Sequence, residues 1–442
     1  MTSIATSSAN TIDQNLAEVH AHEEVSPGEI AAGVIIGRAS EYFDFFVFGI
    51  ACVLVFPHVY FPFLSTLNGM LLAFAVFALA FVARPIGTAI SMAVQRRWGM
   101  AVKMAIALLL LGTATVGIAL LPSYQEIGSY AIWILIGLRI AQGLAVGGSW
   151  DGLPSLLAMN APPEKRGWYA MIGQLGAPIG FVVAASVFAY IYSQLSSADF
   201  LEWGWRYPFC VAFAINVVAL FARLRLVADQ NYTQMFKTME LAPARTFEMT
   251  RSGEYKNVFL GALAALASFA LFHLVTVFPL SWMTLYGNAS VSEILWMQVL
   301  GALLACAAMV LSGWLADQYG RRNTLGAMAV LIALFSFAAP MLLNGGTAGQ
   351  HLFILIGFAL LGLSYGQASG TVTANFSRQF RYVGAAYSAD AAWLLGAAFA
   401  PLIALYLSSH FGPIAVGLYL LSGAVCTLMA LWLNRTLETK RK

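Results

Sequence analysis

Charged residues are scarce in this chain. Asp, Glu, Lys and Arg make up 10% of its 442 residues, whereas about 25% is usual in soluble domains. Hydrophobic residues make up 60%, and no soluble fold has an interior large enough for that much apolar surface. The composition, with a net charge of only +3, excludes a soluble enzyme and a nucleic-acid-binding protein. It indicates an integral membrane protein that lies in the lipid bilayer.

Cysteine and catalytic motifs are scarce as well. The four cysteines, at positions 52, 210, 306 and 426, lie in apolar runs without close spacing. We predict that they are buried small hydrophobic residues and not disulfide partners or metal ligands. The chain also lacks a phosphate loop, a metal-ligand cluster and a nucleophile beside a base. We therefore expect no cofactor, no metal and no enzymatic activity.

The sequence contains twelve apolar runs. Each is close to, or longer than, the roughly 20 residues that a helix needs to cross a membrane. The longest hydrophilic stretch, 227–256, separates six runs from six. The sequence therefore predicts an all-α membrane protein with an N-terminal six-helix bundle at 31–226 and a C-terminal one at 257–434. Residues 1–30 contain no Lys or Arg and predict a disordered cytoplasmic tail without a signal peptide. Residues 435–442 are expected to form the second tail.

The basic residues orient the predicted helices. All but four of the 23 Lys and Arg residues lie in or beside alternate gaps between runs, and the positive-inside rule makes those gaps, and both termini, cytoplasmic. The exceptions lie within apolar runs or at the end of one, where a charge is costly unless it has a partner or a water-filled cavity. The exceptions are Arg38, Arg84, Arg139 and Arg206. The first three point to a functional site, whereas Arg206, next to Trp205 and Pro208, is interpreted as an interfacial anchor.

One gap carries a recognisable motif, Gly-Trp-Leu-Ala-Asp-Gln-Tyr-Gly-Arg-Arg, which resembles the signature loop Gly-x-x-x-Asp-x-x-Gly-Arg-Arg of the major facilitator superfamily. A glycine at its start lets two helices approach, its Asp can accept hydrogen bonds from a helix N-terminus, and its arginines hold the loop to the cytoplasmic face. The predicted cytoplasmic gate loop comprises Gly313, Asp317, Gly320, Arg321 and Arg322.

The first half contains an eroded copy of this loop. Arg97 and Gly99 remain, but Met92 stands at the first Gly position, Arg96 at the Asp position and Met100 at the first Arg position. This partial repeat of the motif indicates that the two halves of the chain arose by duplication. A lock that depends on the loop Asp is not expected in the N-terminal half.

Further segments narrow the resemblance to the metabolite:proton symporter family. They are Glu-Tyr-Phe-Asp-Phe-Phe at 41–46, Ala-Arg-Pro-Ile-Gly at 83–87, Arg-Ile-Ala-Gln-Gly at 139–143 and Trp-Gly-Trp-Arg-Tyr-Pro-Phe at 203–209. The resemblance implies the major facilitator fold, a bacterial inner-membrane location, and proton-coupled symport of a small organic acid anion by alternating access around a midplane site. We expect a functional monomer.

Three positions depart from the family's pattern. Ser149 replaces the fourth-helix Glu, Asp151 introduces an acid two residues later, and Asp390 stands where the family usually has Asn. We therefore expect a divergent member whose substrate need not be one of the well-known ones.

The intramembrane arginines are candidate substrate-binding residues. At about 1.5 Å per residue, helix length places Arg84 near the membrane midplane. We favour an anion-binding role for Arg84 over the alternative that it satisfies carbonyl groups freed at Pro85. Arg139 is expected to bind or couple to substrate charge, or else to pair with Asp151 or Glu41.

The intramembrane acids are candidate proton-coupling residues. Four acids face three arginines, so one acid lacks a cation, and burial favours the neutral form of such a carboxyl. We hypothesise that Asp151 or Asp44 carries the proton, with Asp390 as a third candidate. Asp44 has the alternative of bonding helix to helix, and Arg38 that of a structural pair with Glu41. The candidate acids are Glu41, Asp44, Asp151 and Asp390.

Further polar and aromatic residues are candidates to line a substrate cavity, although lone histidines in apolar helices are more often packing residues. They are Gln142, Gln174, His273, Trp282, Tyr365 and Gln367. The alternatives for function are transport of a zwitterionic osmolyte or other small metabolite, a non-transporting membrane sensor and a membrane enzyme.

Overall fold

The computed structural model describes residues 27–149, 161–228, 243–368 and 376–433. Within these residues the chain is helical and contains no strand, and ten helices are long and apolar enough to cross a membrane. The predicted tail 435–442 and Asp151 lie outside the described residues, as does most of the tail 1–30. The predicted linker 227–256 contains one short helix, Thr246–Arg251, within its described part.

Two further observations raise the count to the predicted twelve spans. The helix Thr66–Ala119 has 54 residues and at about 1.5 Å per residue is far longer than a ~30 Å hydrocarbon core. It is interrupted by non-helical backbone at Gly99, so it makes two crossings. The helix Pro27–Leu54 has 28 residues and makes another, although its charged residues lower its hydropathy.

The spans are numbered along the chain. The first is Pro27–Leu54, the second and third are the two arms of Thr66–Ala119, the fourth is Ser129–Gly148, the fifth is Arg166–Ile172 with Gly176–Gln194, and the sixth is Arg206–Ala228. The seventh is Tyr255–Ala264 with Leu266–Thr276 and Phe278–Tyr286, the eighth is Val291–Tyr319, the ninth is Arg321–Asn344 and the tenth is Gly346–Ala368. The eleventh is Arg381–Ala392 with Ala400–Phe411, and the twelfth is Ile414–Leu433.

The backbone repeats between the two halves, which are the first and the last six spans. Gly99 joins the second and third spans with φ of 87°, and Gly320 joins the eighth and ninth with φ of 85°. Only glycine adopts this backbone without strain. The duplication predicted from the eroded and intact loops therefore has a structural counterpart. Both loops lie on the face that carries the Lys- and Arg-rich gaps, called the basic face below.

Glycines bring the second and fourth spans into backbone contact. A Cβ added to Gly143 would lie 2.2 Å from the Ala80 carbonyl oxygen, and one added to Gly147 would lie 2.2 Å from that of Arg84. The close approach of the two spans leaves no room for a larger residue at either glycine. Arg84 and Arg139 thus lie on two spans in direct contact.

Aromatic rings fill the interface between the halves. Phe46 of the first span stacks on Phe272 of the seventh, with centroids 5.7 Å apart and planes 7° apart. Phe81 of the second span stacks on Trp393 of the eleventh at 5.6 Å and 18°. The halves therefore meet in an apolar layer, and the buried charges lie beside it.

The cysteines are only partly as predicted. Cys52 is buried, but Cys210 is exposed on the sixth span. The prediction of burial is wrong for Cys210, because hydropathy does not separate residues that face lipid from residues that face the bundle.

Candidate functional site

A small cavity lies between the halves. Its lining comes from the first four spans and, through Trp393, from the eleventh. The polar lining is Arg38, Glu41, Asp44, Arg84, Arg139 and Gln142, and the aromatic lining is Tyr42, Phe45, Phe81 and Trp393. The cavity thus has a charged wall and an aromatic wall.

An ion pair joins the halves beside this cavity. Arg84 Nε donates to Asp390 Oδ1 at 2.7 Å, and the Thr88 hydroxyl donates to Asp390 Oδ2 at 2.6 Å. Asp390 is 3% exposed and Arg84 is 8% exposed. Arg84 and Thr88 belong to the second span and Asp390 to the eleventh. The contact therefore changes whenever the two halves separate.

Arg84 also lines the cavity. The bond from Nε is the only hydrogen bond that its side chain makes to the described residues, and carbonyl groups near Pro85 are not its partners. Its Cζ lies 5.9 Å from the centre of the Trp393 ring. The two Nη atoms are consequently available to a molecule in the cavity.

Arg139 is held within the N-terminal half. Its Nε donates to the Phe77 carbonyl oxygen at 3.2 Å and its Nη1 to Gln142 Oε1 at 3.0 Å. Its Cζ lies 4.0 Å from the centre of the Phe48 ring. The Nη2 atom is buried and has no hydrogen-bond partner. Arg139 lines the cavity with one unused donor, and among the described residues it does not form the predicted pair with Glu41.

Asp44 is the centre of a hydrogen-bond network within the N-terminal half. The Thr115 hydroxyl lies 2.8 and 2.7 Å from its two oxygens. Asn216 Nδ2 donates to it at 3.1 Å and Gln142 Nε2 at 3.2 Å. The network ties together the first, third, fourth and sixth spans, which is the helix-to-helix alternative considered for Asp44.

Sequence reasoning missed Thr88, Thr115 and Asn216. Each is a polar residue inside an apolar run, which is a weak signal because Ser, Thr and Asn are tolerated in such helices. The pair of Arg38 and Glu41, at 3.0 Å, is confirmed, because a spacing of three residues places two side chains on one helix face.

Four candidate lining residues lie outside the cavity in the structure. Gln174 is buried at the break in the fifth span, and Trp282 packs between Phe278 and Tyr286. The Tyr365 hydroxyl contacts that of Tyr42 across the interface. Gln367 Nε2 donates to the Gly167 carbonyl oxygen at 3.2 Å, nearer the basic face. A substrate-binding role for Gln174, Trp282, Tyr365 and Gln367 stays a prediction.

His273 lies behind the aromatic wall. It is completely buried, and its ring centre is 5.2 Å from those of Phe45 and Phe77. Its Nδ1 lies 3.3 Å from the Thr276 hydroxyl, and its Nε2 has no hydrogen-bond partner. His273 does not line the cavity, so a role in the site stays a prediction for this residue as well.

The predicted gate loop binds the opposite half. Asp317 Oδ1 accepts from the Gly167 N–H at 2.6 Å and Oδ2 from the Trp168 N–H at 3.2 Å. These groups belong to the first turn of the fifth span, where N–H groups have no partner within the helix. The prediction that Asp317 accepts from a helix N-terminus is confirmed. Arg322 Nη2 donates to the Leu431 carbonyl oxygen at 2.8 Å.

A second contact across the basic face was not predicted. Lys103 Nζ lies 3.0 Å from the Tyr382 hydroxyl and 3.0 Å from Gln95 Oε1, and that hydroxyl donates to Gln95 at 3.1 Å. Lys103 is 1% exposed. Gln95 and Lys103 flank the eroded loop, and Tyr382 begins the eleventh span. The sequence suggested for Lys103 only a role in orienting the protein.

Known proteins share this architecture. The family model of the Major Facilitator Superfamily matches residues 34–390 and 258–442. The inner membrane metabolite transport protein YhjE of Escherichia coli (strain K12) is 36% identical, over 94% of this chain and 96% of its own length. A putative metabolite transport protein of Haemophilus influenzae is 35% identical, over 94% and 95%.

A solved structure agrees with the fold. The crystal structure of a D-xylose-proton symporter matches with a TM-score of 0.72 and 20% identity, over 94% of this chain and 99% of that one. At 20% identity the match supports the fold but gives no information on the substrate. The chain belongs to the major facilitator superfamily and is a multi-pass membrane transporter, not an enzyme.

Proposed function

We propose that the protein carries a small organic acid anion together with protons across the bacterial inner membrane. The two halves rock around the cavity, as in transporters built from repeated halves. The basic face, and with it both termini, is cytoplasmic according to the positive-inside rule. The protein works as a monomer without a cofactor or metal.

The observation that carries the proposal is the free edge of Arg84 in a cavity shared by both halves. A guanidinium edge with two free Nη donors matches the two oxygens of a carboxylate. Arg139, with its unused Nη2, adds positive charge on the same wall.

Relatives with named substrates support an acid but include other solutes. The shikimate transporter of Escherichia coli and the citrate-proton symporter of Klebsiella pneumoniae are each 29% identical. The proline/betaine transporter of Salmonella typhimurium is 27% identical. Shikimate and citrate are carboxylic acids without a cationic group, whereas proline and betaine are zwitterions.

The aromatic wall supports a zwitterionic osmolyte as the second candidate. A quaternary ammonium group binds over aromatic faces, and Phe81 and Trp393 offer such faces beside Arg84. When Asp390, which bonds to Arg84 beside the cavity, is counted with the lining, however, the described residues include three arginines and three acids. A zwitterion would then bind without a proton, whereas an anion requires one.

Uptake by the purified protein in liposomes tests the proposal. Labelled monocarboxylates, dicarboxylates, shikimate and betaine are offered with and without an inward proton gradient. We expect a carboxylate to accumulate only with the gradient. Betaine accumulation without any acid uptake would favour the zwitterion.

An Arg84→Gln variant sharpens this test. Because Gln keeps much of the side-chain volume but lacks the charge, we expect acid uptake to fall by at least about tenfold, the value of one strong ionic contact of roughly 1.4 kcal/mol or more. Arg206→Gln is the matched control, since Arg206 binds carbonyl groups at the end of the third span, far from the cavity. Equal uptake by both variants would refute the assignment of Arg84.

A further inference from the structure

We propose that Asp390 is the coupling carboxyl group of this transporter. Its protonation turns Arg84 from one half of an ion pair into an anion site, so that one proton enters with each negative charge of the substrate. This inference rests on the proposed function and deepens it.

The geometry separates the two partners of Arg84. Asp390 occupies the Nε edge of the guanidinium, whereas the Nη atoms of Arg84, a residue that lines the cavity, make no hydrogen bond to the described residues. A substrate carboxylate can therefore bind without displacing Asp390. With Asp390 ionised, however, two carboxylates would share one cation at close range, which is strongly unfavourable in a site with little water. With Asp390 protonated, the positive charge of Arg84 is free for the substrate.

The charges around the cavity balance before a substrate enters. Arg38 pairs with Glu41 and Arg84 pairs with Asp390. Arg139 is linked to Asp44 through Gln142, which accepts from the arginine and donates to the acid. Among the described residues no positive charge is left over. An added anion therefore requires that one of these acids takes up a proton.

The surroundings of the acids single out Asp390. All donors to Asp44 belong to the N-terminal half, so they remain in place when the halves rock. Glu41 is likewise paired within its own span. The donors to Asp390, Arg84 and Thr88, both lie on the opposite half. Among the contacts described for these acids, those of Asp390 change with the conformational step, which is what coupling a proton to that step requires.

Two measurable consequences follow. Transport of a monocarboxylate with one proton moves no net charge. In addition, proton and substrate must raise each other's affinity, because coupling between two sites is reciprocal. Above the pH at which Asp390 ionises, substrate affinity should fall about tenfold per pH unit, the slope expected for one linked proton.

Asp390→Asn tests the inference in proteoliposomes with a monocarboxylate that the wild-type protein transports. Asn keeps the shape and a polar group, and the metabolite:proton symporters that this chain resembles usually carry Asn there, so we expect the variant to fold. We expect at least a tenfold loss of accumulation driven by the proton gradient. Counterflow exchange should persist, with an affinity that no longer depends on pH.

Current measurements on a solid-supported membrane give a second readout. Wild-type uptake should produce no substrate-dependent current, whereas Asp390→Asn should move one negative charge per anion. Asp390→Glu should restore gradient-driven accumulation. Asp199→Asn is the matched control, because Asp199 is exposed in an outer loop and its side chain accepts, within the described part of the chain, from the Ser196 hydroxyl.

The outcomes separate the two proposals. If the wild-type protein accumulates no acid under any gradient, the proposed function fails. If it does accumulate one, then unchanged accumulation by Asp390→Asn, or a pH dependence that survives in this variant, overturns the role of Asp390. Loss of counterflow in a correctly folded Asp390→Asn variant overturns it too, because Arg84 should then still hold the anion.

Discussion

The two loops that join the second to the third span and the eighth to the ninth have the same backbone but different chemistry. Each turns at a glycine with positive φ, Gly99 or Gly320. In the second loop Asp317 binds two N–H groups of the opposite half. In the first loop Arg96 stands in that place and bonds to the Ala244 carbonyl oxygen at 3.3 Å instead.

The first loop makes no contact like that of Asp317, but residues on either side of it do. Asp317 binds the start of the fifth span, and the repeat-related contact would join the end of the second span to the start of the eleventh. Gln95 and Lys103 make it there, through the Tyr382 hydroxyl. The two halves therefore touch at equivalent places in the two repeats, but they do so through different side chains.

Removing the acid of the intact loop should have the largest effect. Asp317→Ala deletes two charge-assisted hydrogen bonds, together worth about 3 kcal/mol, and should shift the equilibrium toward an open basic face by about 100-fold. Spin labels at Glu164 and Asn323, in a background without the native cysteines, would report a longer distance. Glu164 and Asn323 are exposed gap residues of opposite halves. An unchanged distance distribution would show that Asp317 does not hold this face closed.

The shared backbone predicts equal effects in the two loops. Alanine at Gly99 or Gly320 would have to adopt a conformation that costs about 2 kcal/mol outside glycine. We expect Gly99→Ala and Gly320→Ala to lower the melting temperature in detergent by similar amounts. Gly137→Ala serves as control, because an added Cβ there meets no atom within 4 Å and the backbone is helical. A large effect in only one loop would contradict the structural repeat.

The substitute contact should be weaker than the intact one. Tyr382→Phe removes the hydroxyl that links Lys103 to Gln95, a loss of about 1 kcal/mol or fivefold in the opening equilibrium. Spin labels at Arg97 and Gln379 would measure it. An effect as large as that of Asp317→Ala would show that the two contacts carry equal weight.

Restoring the missing acid should have the smallest effect. Arg96→Asp introduces a negative charge near the start of the eleventh span, where helix N-terminal N–H groups favour anions by about 0.5 kcal/mol at an exposed position. We expect a twofold shift toward the closed basic face, measured with the same labels at Arg97 and Gln379. Arg96→Asn is the control that changes the residue without adding negative charge, and a shift of equal size in this control would refute the electrostatic explanation.

The sequence was sufficient for features that depend on hydropathy or local spacing. Twelve spans follow from the lengths of the apolar runs, the pair of Arg38 and Glu41 from helical periodicity, and the role of Asp317 from its motif. The span limits were less accurate. The first helix begins at Pro27 and the seventh span at Tyr255, each a few residues before the predicted bundle limits.

Contacts between distant segments could not be predicted in the same way. Arg84 and Asp390 are 306 residues apart, and counting along a helix gives the depth of a residue but not the face on which it lies. For that reason the sequence indicated Arg84 and Asp390 as separate candidates without pairing them. It also indicated Tyr365 and His273 as candidates to line the cavity, whereas in the structure both lie outside its lining.

The stack of Phe81 on Trp393 has a consequence for energy conservation. The two rings come from opposite halves, and Trp393 follows Asp390 by a single helical turn. In the proposed proton symport, apolar rings at this position would keep out the chain of water molecules along which protons leak across the bilayer. The rings would part only during the rocking step, so a carrier that rests in this conformation would not dissipate the gradient.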